Sequence, residues 1–197
     1  MKRLKVIAAL FLMMAGSALA QPATLFDGDI HSGGFGGVEL KLSPLNEQTG
    51  LLVGGSGAWL INHSFYLGGG GYGLVNDIAT LGLSPDTSRI DMGYGGLLIG
   101  YMFAPDDLVH VGIQTLVGAG GVGYRVHHFD DRLDNLTDSD GFFVAEPGVV
   151  GELNISRNIR LVIGASYRFI NGIETAGMSD AKLGGPSASM MIKFGSF

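Results

Sequence analysis

The sequence predicts an all-β protein: an eight-stranded antiparallel up-and-down transmembrane β-barrel preceded by a cleaved signal peptide. Three observations carry that expectation. Of the 197 residues 34 are glycine and only 15% are charged, whereas an average domain has about 7% glycine and about 25% charged residues. Mean hydropathy is +0.33, yet no apolar run approaches the roughly 20 residues of a membrane-crossing helix. The apolar runs alternate with period two, the spacing of a strand rather than a helix. A hydrophobic content of 46% argues against disorder. Six prolines and glycines without a three-residue period exclude collagen.

The first element is an export signal. Lys2, Arg3 and Lys5 form a positive head, Val6 to Ala15 an apolar stretch, and Ala18-Leu19-Ala20 the small residues a signal peptidase reads. The stretch is too short for a membrane anchor and no stop-transfer charges follow it. Cleavage is expected after Ala20, which divides the chain into a signal peptide over 1–20, a short N-terminal segment over 21–32 and a barrel over 33–197. The absence of cysteine excludes a lipidated N-terminus, disulfides and thiolate metal sites. Loss of the three basic residues takes the net charge from −6 to −9, which argues against nucleic-acid binding, since that needs a basic face.

Eight alternating runs follow, at 34–43, 49–61, 64–75, 89–103, 108–126, 142–153, 158–170 and 186–197. In the fifth, Val109, Val111, Ile113, Thr115, Val117 and Ala119 share one face; His110, Gly112, Gln114, Leu116, Gly118 and Gly120 share the other. The seventh sets Ile159, Leu161, Ile163, Ala165, Tyr167 and Phe169 against Arg160, Val162, Gly164, Ser166 and Arg168. A helix would mix these sets. Connections at Asn62-His63, Ala104 to Asp107 and Asn154 to Arg157 are short, whereas those near 76–88, 127–141 and 171–185 are long. Short turns at one end and long loops at the other are the up-and-down barrel pattern. The connection Pro44–Gln48 is shorter than its siblings.

The non-apolar face distinguishes a membrane barrel from a water-soluble sandwich. A sandwich would place many Lys, Glu, Thr and Asn outward. Here that face carries mostly Gly, Ser and Gln, with Glu39, Lys41, His110, Glu146, Glu152, Arg160, Arg168 and Lys193. Charges of both signs among glycines fit a narrow interior in which ions must pair. Glu146, Glu152, Arg160 and Arg168 lie on consecutive runs and are expected to form one paired network, with His110 pairing to Glu146 or Glu152. Trp59, Phe65, Tyr101 and Phe103 gather near the short turns, as in an interfacial aromatic girdle. Pro147 cannot donate to a ladder, so a β-bulge is expected at Glu146-Pro147-Gly148.

Signal peptide, eight alternating strands and the C-terminal Phe197 together resemble the small outer-membrane β-barrels of Gram-negative bacteria. The stretch Gly57-Ala58-Trp59-Leu60-Ile61-Asn62-His63-Ser64-Phe65 with Gly68 to Gly73 resembles a group of uncharacterised bacterial proteins of that type. The resemblance covers Gly33 to Phe197. It implies an outer-membrane location, a periplasmic segment over 21–32 and a monomer. The partners it implies are outer-membrane lipid, lipopolysaccharide and the barrel-insertion machinery. In that family the final strand keeps its apolar residues in register with a terminal aromatic. Here Met190, Ile192 and Phe194 share a face and Phe197 has the opposite parity. Either the last residues bulge, or Phe194 takes the terminal role and Gly195 to Phe197 trails it.

Chemical motifs are few. Gly68 to Gly73 and Gly118 to Gly123 match the dinucleotide glycine pattern, but neither opens an amphipathic helix. His127 and His128 with Asp130 and Asp131 offer metal-binding side chains, and Asp134, Asp138 and Asp140 extend the acidity. Their spacing lacks the ligand order of a calcium loop, and they read as a solvated loop. No Gly-x-Ser-x-Gly nucleophile pattern occurs, and eight strands leave a lumen filled by side chains. No catalytic, cofactor or metal residues are therefore assigned. The expected function is an integral outer-membrane barrel of structural or surface-interaction type. The alternatives are a barrel enzyme acting on outer-membrane lipid or lipopolysaccharide and, third, a soluble secreted β-protein.

Overall fold

An alternating sheet with one buried face still exposes unpaired N–H and C=O groups at its two edges, and closing on itself removes them. The computed structural model, which describes residues 31–78, 88–126, 136–174 and 178–197, shows such closure. Eight strands follow one another: β1 (Ser32–Leu45), β2 (Gln48–Ile61), β3 (Phe65–Leu74), β4 (Ser88–Phe103), β5 (Val109–Val126), β6 (Leu136–Ser156), β7 (Ile159–Asn171) and β8 (Gly185–Ser196). Each pairs antiparallel with the next, and β8 closes on β1 from Gly34↔Ser196 to Leu42↔Ala188. The expected signal peptide lies outside the described residues, as does nearly all of the 21–32 segment.

The period-two pattern sorts side chains as the sequence predicts, with the polarity of a soluble protein inverted. All eight strands point large apolar residues outward, among them Val38, Trp59, Leu67, Ile99, Val111, Val149, Ile163 and Ile192. Their odd or even alternates fill the interior with aromatic, aliphatic and charged groups: Phe35, Leu60, Tyr66, Tyr72, Tyr94, Met102, Phe142 and all eight charged or ionisable residues assigned to that face. Trp59, Tyr101 and Phe103 are exposed near the short turns, and Phe65 pairs with Tyr101. A second outward group, Phe143, Tyr167 and Phe169, stands toward the opposite end. Sequence reading did not single it out.

Four local features differ from or complete the sequence reading. The first is Pro147, which forms no bulge. β6 keeps one register with β5 straight through Thr115↔Pro147. With β7 it pairs Ala145↔Phe169 and Gly148↔Ser166, on the same register, and only the two intervening pairs are missing. Those pairs need an N–H at 147, so the proline deletes one bond and leaves the strand straight. Phe143 and Val149 accordingly both face outward. The register shifts of β6 fall instead at Gly123/Arg125 and Asn154/Ser156.

Second, β6 begins at Leu136 rather than 142, and Gly121↔Gly141, Val122↔Asp140 and Gly123↔Ser139 extend its ladder with β5. Asp138 and Asp140 therefore belong to a strand, not a loop; His127, His128, Asp130, Asp131 and Asp134 lie outside the described residues. Third, the short connection after β1 is a two-residue turn with Asn46 at φ 47° and Glu47 at φ 65°, the left-handed pair a tight hairpin requires. A one-turn helix, α1 (Asp180–Leu183), packs against it, with the Asn46 N–H donating to the Lys182 carbonyl at 2.8 Å. Fourth, Phe194 is exposed with Met190 and Ile192, while Phe197 turns back and stacks on the buried Phe35 at 6.4 Å. The outward aromatic of the last strand is thus Phe194.

Inward glycines explain much of the composition. A Cβ on Gly68 would overlap the Gly57 carbonyl and the Ala58 backbone, and one on Gly100 would overlap the Tyr66 ring. A Cβ on outward Gly73 would meet nothing within 4 Å. Gly68→Ala is therefore expected to lower barrel stability by about 1–3 kcal/mol, the cost of overpacking. Gly73→Ala should stay within about 0.5 kcal/mol of wild type. Urea unfolding midpoints in detergent micelles measure both.

Candidate functional site

The polar centre of the molecule is its lumen, built by alternate residues of seven strands. At mid-height Glu146 on β6 takes the Lys41 ammonium of β1 at 2.8 Å, from across the barrel. The same carboxylate accepts from Tyr94 Oη at 2.6 Å and Ser166 Oγ at 2.7 Å. Lys41 also lies 3.6 Å over the Tyr72 ring, and Tyr72 donates to Glu39 at 2.5 Å.

A second cluster lies toward the short turns. Glu152 on β6 takes the Lys193 ammonium of β8 on one oxygen. Its other oxygen faces Arg160 of β7 and His110 of β5, each at 3.3 Å. His110 and Glu152 are directly opposite in the β5–β6 register. Arg160 and Lys193 are directly opposite in the β7–β8 register; like charges so placed repel, and Glu152 lies within reach of both. Lys193 further sits 4.3 Å over the Phe35 ring, and Tyr66 Oη donates to Gln114 at 2.9 Å.

Strand parity thus locates every interior charge, and His110 takes Glu152, one of its two expected partners. The expected single network of Glu146, Glu152, Arg160 and Arg168 is corrected in two respects. It divides into two clusters, one around Glu146 and one around Glu152. Glu146 takes Lys41 as its cation, not Arg168. Arg168, fully buried, reaches Glu146 only through Tyr94, whose hydroxyl it approaches at 3.5 Å. Its remaining donors go to the Leu183 carbonyl at 3.0 Å and to Ser43 Oγ at 2.9 Å. The cause is α1, which brings a helical carbonyl into the lumen mouth beside Arg168. A four-residue helix is too short for periodicity to reveal, and Lys41 is 105 residues from Glu146, so no local signal marks either contact.

The arrangement leaves little room for chemistry. A void of about 10 Å³ is lined in part by Lys41, Tyr72, Gln114, Glu146 and Ser166, about what one water needs. Gly68 to Gly73 and Gly118 to Gly123 are both mid-strand, where no helix N-terminus can hold a phosphate. Among the described residues no group of three or more His, Asp or Glu side chains is placed to hold a metal ion. Asp140, from the acidic stretch, accepts the Glu174 N–H at 2.9 Å.

Removing one partner of a buried pair leaves a bare charge. Glu146→Leu should therefore cost about 3–5 kcal/mol, against about 0.5 kcal/mol or less for Asp106→Ala in the exposed turn. Lys41→Met added to Glu146→Leu should restore most of the loss, because the stranded ammonium is then gone. Unfolding midpoints of the three variants check this.

No protein-family model and no curated protein sequence matches the chain. Solved structures do match its fold. Neisserial surface protein A superposes with a TM-score of 0.58 at 11% identity, over 85% of this chain and 99% of that one. Ail, the attachment invasion locus protein of Yersinia pestis, gives a TM-score of 0.47 at 13% identity, over 83% of this chain and 97% of that one. By fold, the chain resembles the small eight-stranded barrels known from the Gram-negative outer membrane.

Proposed function

We propose that the chain is an integral outer-membrane β-barrel of structural or surface-interaction type, exported with a signal peptide over 1–20 and inserted as residues 33–197. One observation carries this reading: the inversion of polarity. Val111 is 60% and Ile163 63% exposed, while Glu152 is 1% and Arg168 0% exposed. A water-soluble sandwich or barrel would reverse those values. An apolar belt contributed by all eight strands, flanked by aromatic groups near both ends, fits a lipid bilayer. Closure of the sheet satisfies the backbone without water, as crossing a bilayer requires.

The filled lumen supports a structural rather than a channel role. The interior carboxylates Glu39, Glu146 and Glu152 are all taken up by side chains of the lumen, so no observation favours the enzyme alternative. The long acidic connections are then the parts that meet the exterior. The surroundings this reading implies are outer-membrane lipid and lipopolysaccharide, with the insertion machinery engaging the final strand during assembly and the barrel standing as a monomer.

The reading is tested in cells. The protein should remain in purified outer membranes after a carbonate wash, start at Gln21, and migrate faster unboiled than boiled on gels. Release into the carbonate supernatant with no heat-dependent shift would refute the membrane assignment. In vesicles, Trp59, the single tryptophan and 51% exposed on the outer face, should be quenched strongly by lipids brominated near the headgroup and weakly by those brominated at the chain terminus. Its position near the end of the apolar belt sets that order.

A further inference from the structure

The outer wall of the barrel is not evenly filled. In its short-turn half, Gly151 of β6 stands between Val111 of β5 and Ile163 of β7, its partners in the two ladders. Phe103, Ile113 and Val149 complete the walls of an outward groove of about 440 Å³. All five wall residues are exposed, and a Cβ on Gly151 would meet only the Ile163 side chain, at 3.7 Å. The floor is ladder-bonded backbone, so the groove offers dispersion contact to an unbranched hydrocarbon. Gly151 lies six residues from Arg157, about 20 Å along a strand. At the usual strand tilt that is about 15 Å along the barrel axis, the depth of the acyl chains of one leaflet.

Two turns meet at the foot of the groove. The Asn154 N–H donates to the Leu108 carbonyl at 3.0 Å, and the Asn154 side-chain amide to the Asp107 carbonyl at 2.8 Å. These bonds tie the β6–β7 turn to the β4–β5 turn. The first carries Arg157 and the second Asp106 and Asp107, all exposed. Among the described residues Arg157 is the one exposed Lys or Arg at this end of the barrel. A guanidinium is a fork for a phosphate diester. The carboxylates beside it would repel a purely anionic head and accept hydrogen bonds from an ammonium.

The surface holds its own comparison. A second outward groove, of about 340 Å³ between Phe65, Tyr101 and Val117, is equally apolar. The turns at its foot, Asn62-His63 and Ala104 to Asp107, carry no Lys or Arg. Only the Gly151 groove has both charges within reach of one headgroup.

We propose that the Gly151 groove binds one phospholipid whose phosphate bears a primary ammonium, as in an ethanolamine lipid. An acyl chain fills the groove, the phosphate sits on Arg157, and the ammonium meets the Asp106-Asp107 turn. The inference rests on the membrane reading and adds to it one selective site among exchangeable lipids.

The test uses the full barrel in vesicles of phosphatidylethanolamine and phosphatidylcholine, with bromine on the acyl chains of one lipid or the other. Trp59→Phe with Phe103→Trp puts one indole on the rim of the groove. Quenching there should give the ethanolamine lipid an association constant about three-fold or more above the choline lipid, the size of one or two exposed ion pairs. Trp59 of the wild type, which lines neither groove, should meet both lipids alike. Adding Arg157→Gln, Gly151→Leu, or Asp106→Asn with Asp107→Asn to the rim reporter should abolish the preference. No preference at the rim means an ordinary lipid shell only, and overturns the site. A stronger association of phosphatidylglycerol in the same assay, or a preference that survives Gly151→Leu, also overturns it. Absence of any quenching of Trp59 would instead refute the membrane reading, and the site with it. If Phe103→Trp does not fold, mass spectrometry of the wild-type barrel released from micelles holding the three lipids in equal amounts decides. One retained ethanolamine lipid supports the site; unselective retention or none overturns it.

Discussion

A carboxylate inside a closed eight-stranded barrel can place its charge only on another strand. No water layer is available to it, and an isolated ion there would cost several kcal/mol. Glu146 and Glu152 set this constraint. Glu146 ties β6 to β1 through Lys41, across the lumen. Glu152 ties β6 to β5, β7 and β8 through His110, Arg160 and Lys193. Half of the barrel is therefore held to one strand by charge as well as by ladder bonds. A register slip of one residue in β6 would point both carboxylates into the apolar belt, so the ions specify the register that the hydrophobic pattern alone would share with its neighbours.

The glycines follow from the same confinement. The hydrogen-bonding tyrosines of the lumen need space that a small barrel provides only where the facing residue has no side chain. Tyr66 lies against Gly100, and Tyr72 against Gly54. Tyr94 and Phe142 share the space left at Gly120. The polar centre and the glycine-rich composition are two consequences of one geometry: bulky hydrogen-bonding rings in a lumen only wide enough for side chains.

The two ends of the lumen are closed by different means. At the short-turn end Phe197 folds beneath the barrel onto Phe35 under the Arg160 guanidinium. At the other end the buried Leu183 of α1 sits over Arg168, with Ile78 also buried there. The outer surface between these ends is predominantly apolar, and outward glycines such as Gly73, where a Cβ would meet nothing within 4 Å, interrupt its bulk. With both ends covered by side chains and the charged middle filled by paired groups, the lumen suits a wall element better than a conduit.

The sequence by itself determined which residues face inward, because parity is local: two positions along a strand return to the same face, whatever the strand pairs with. That rule placed Glu39, Lys41, His110, Glu146, Glu152, Arg160, Arg168 and Lys193 in the lumen, and Trp59 and Phe103 outside it. Parity held even through Pro147, where the expected bulge is absent: a missing N–H removed one bond from the β6–β7 ladder without bending the strand, since the β5 side of the ladder remained intact. Only the tertiary structure decided which ion meets which. Lys41 reaches Glu146 because closure brings β1 opposite β6, and α1 gives Arg168 a carbonyl instead of a carboxylate. Those pairings depend on distances across the barrel and on loops folding over its mouth, and neither quantity is written in the spacing of residues along a strand.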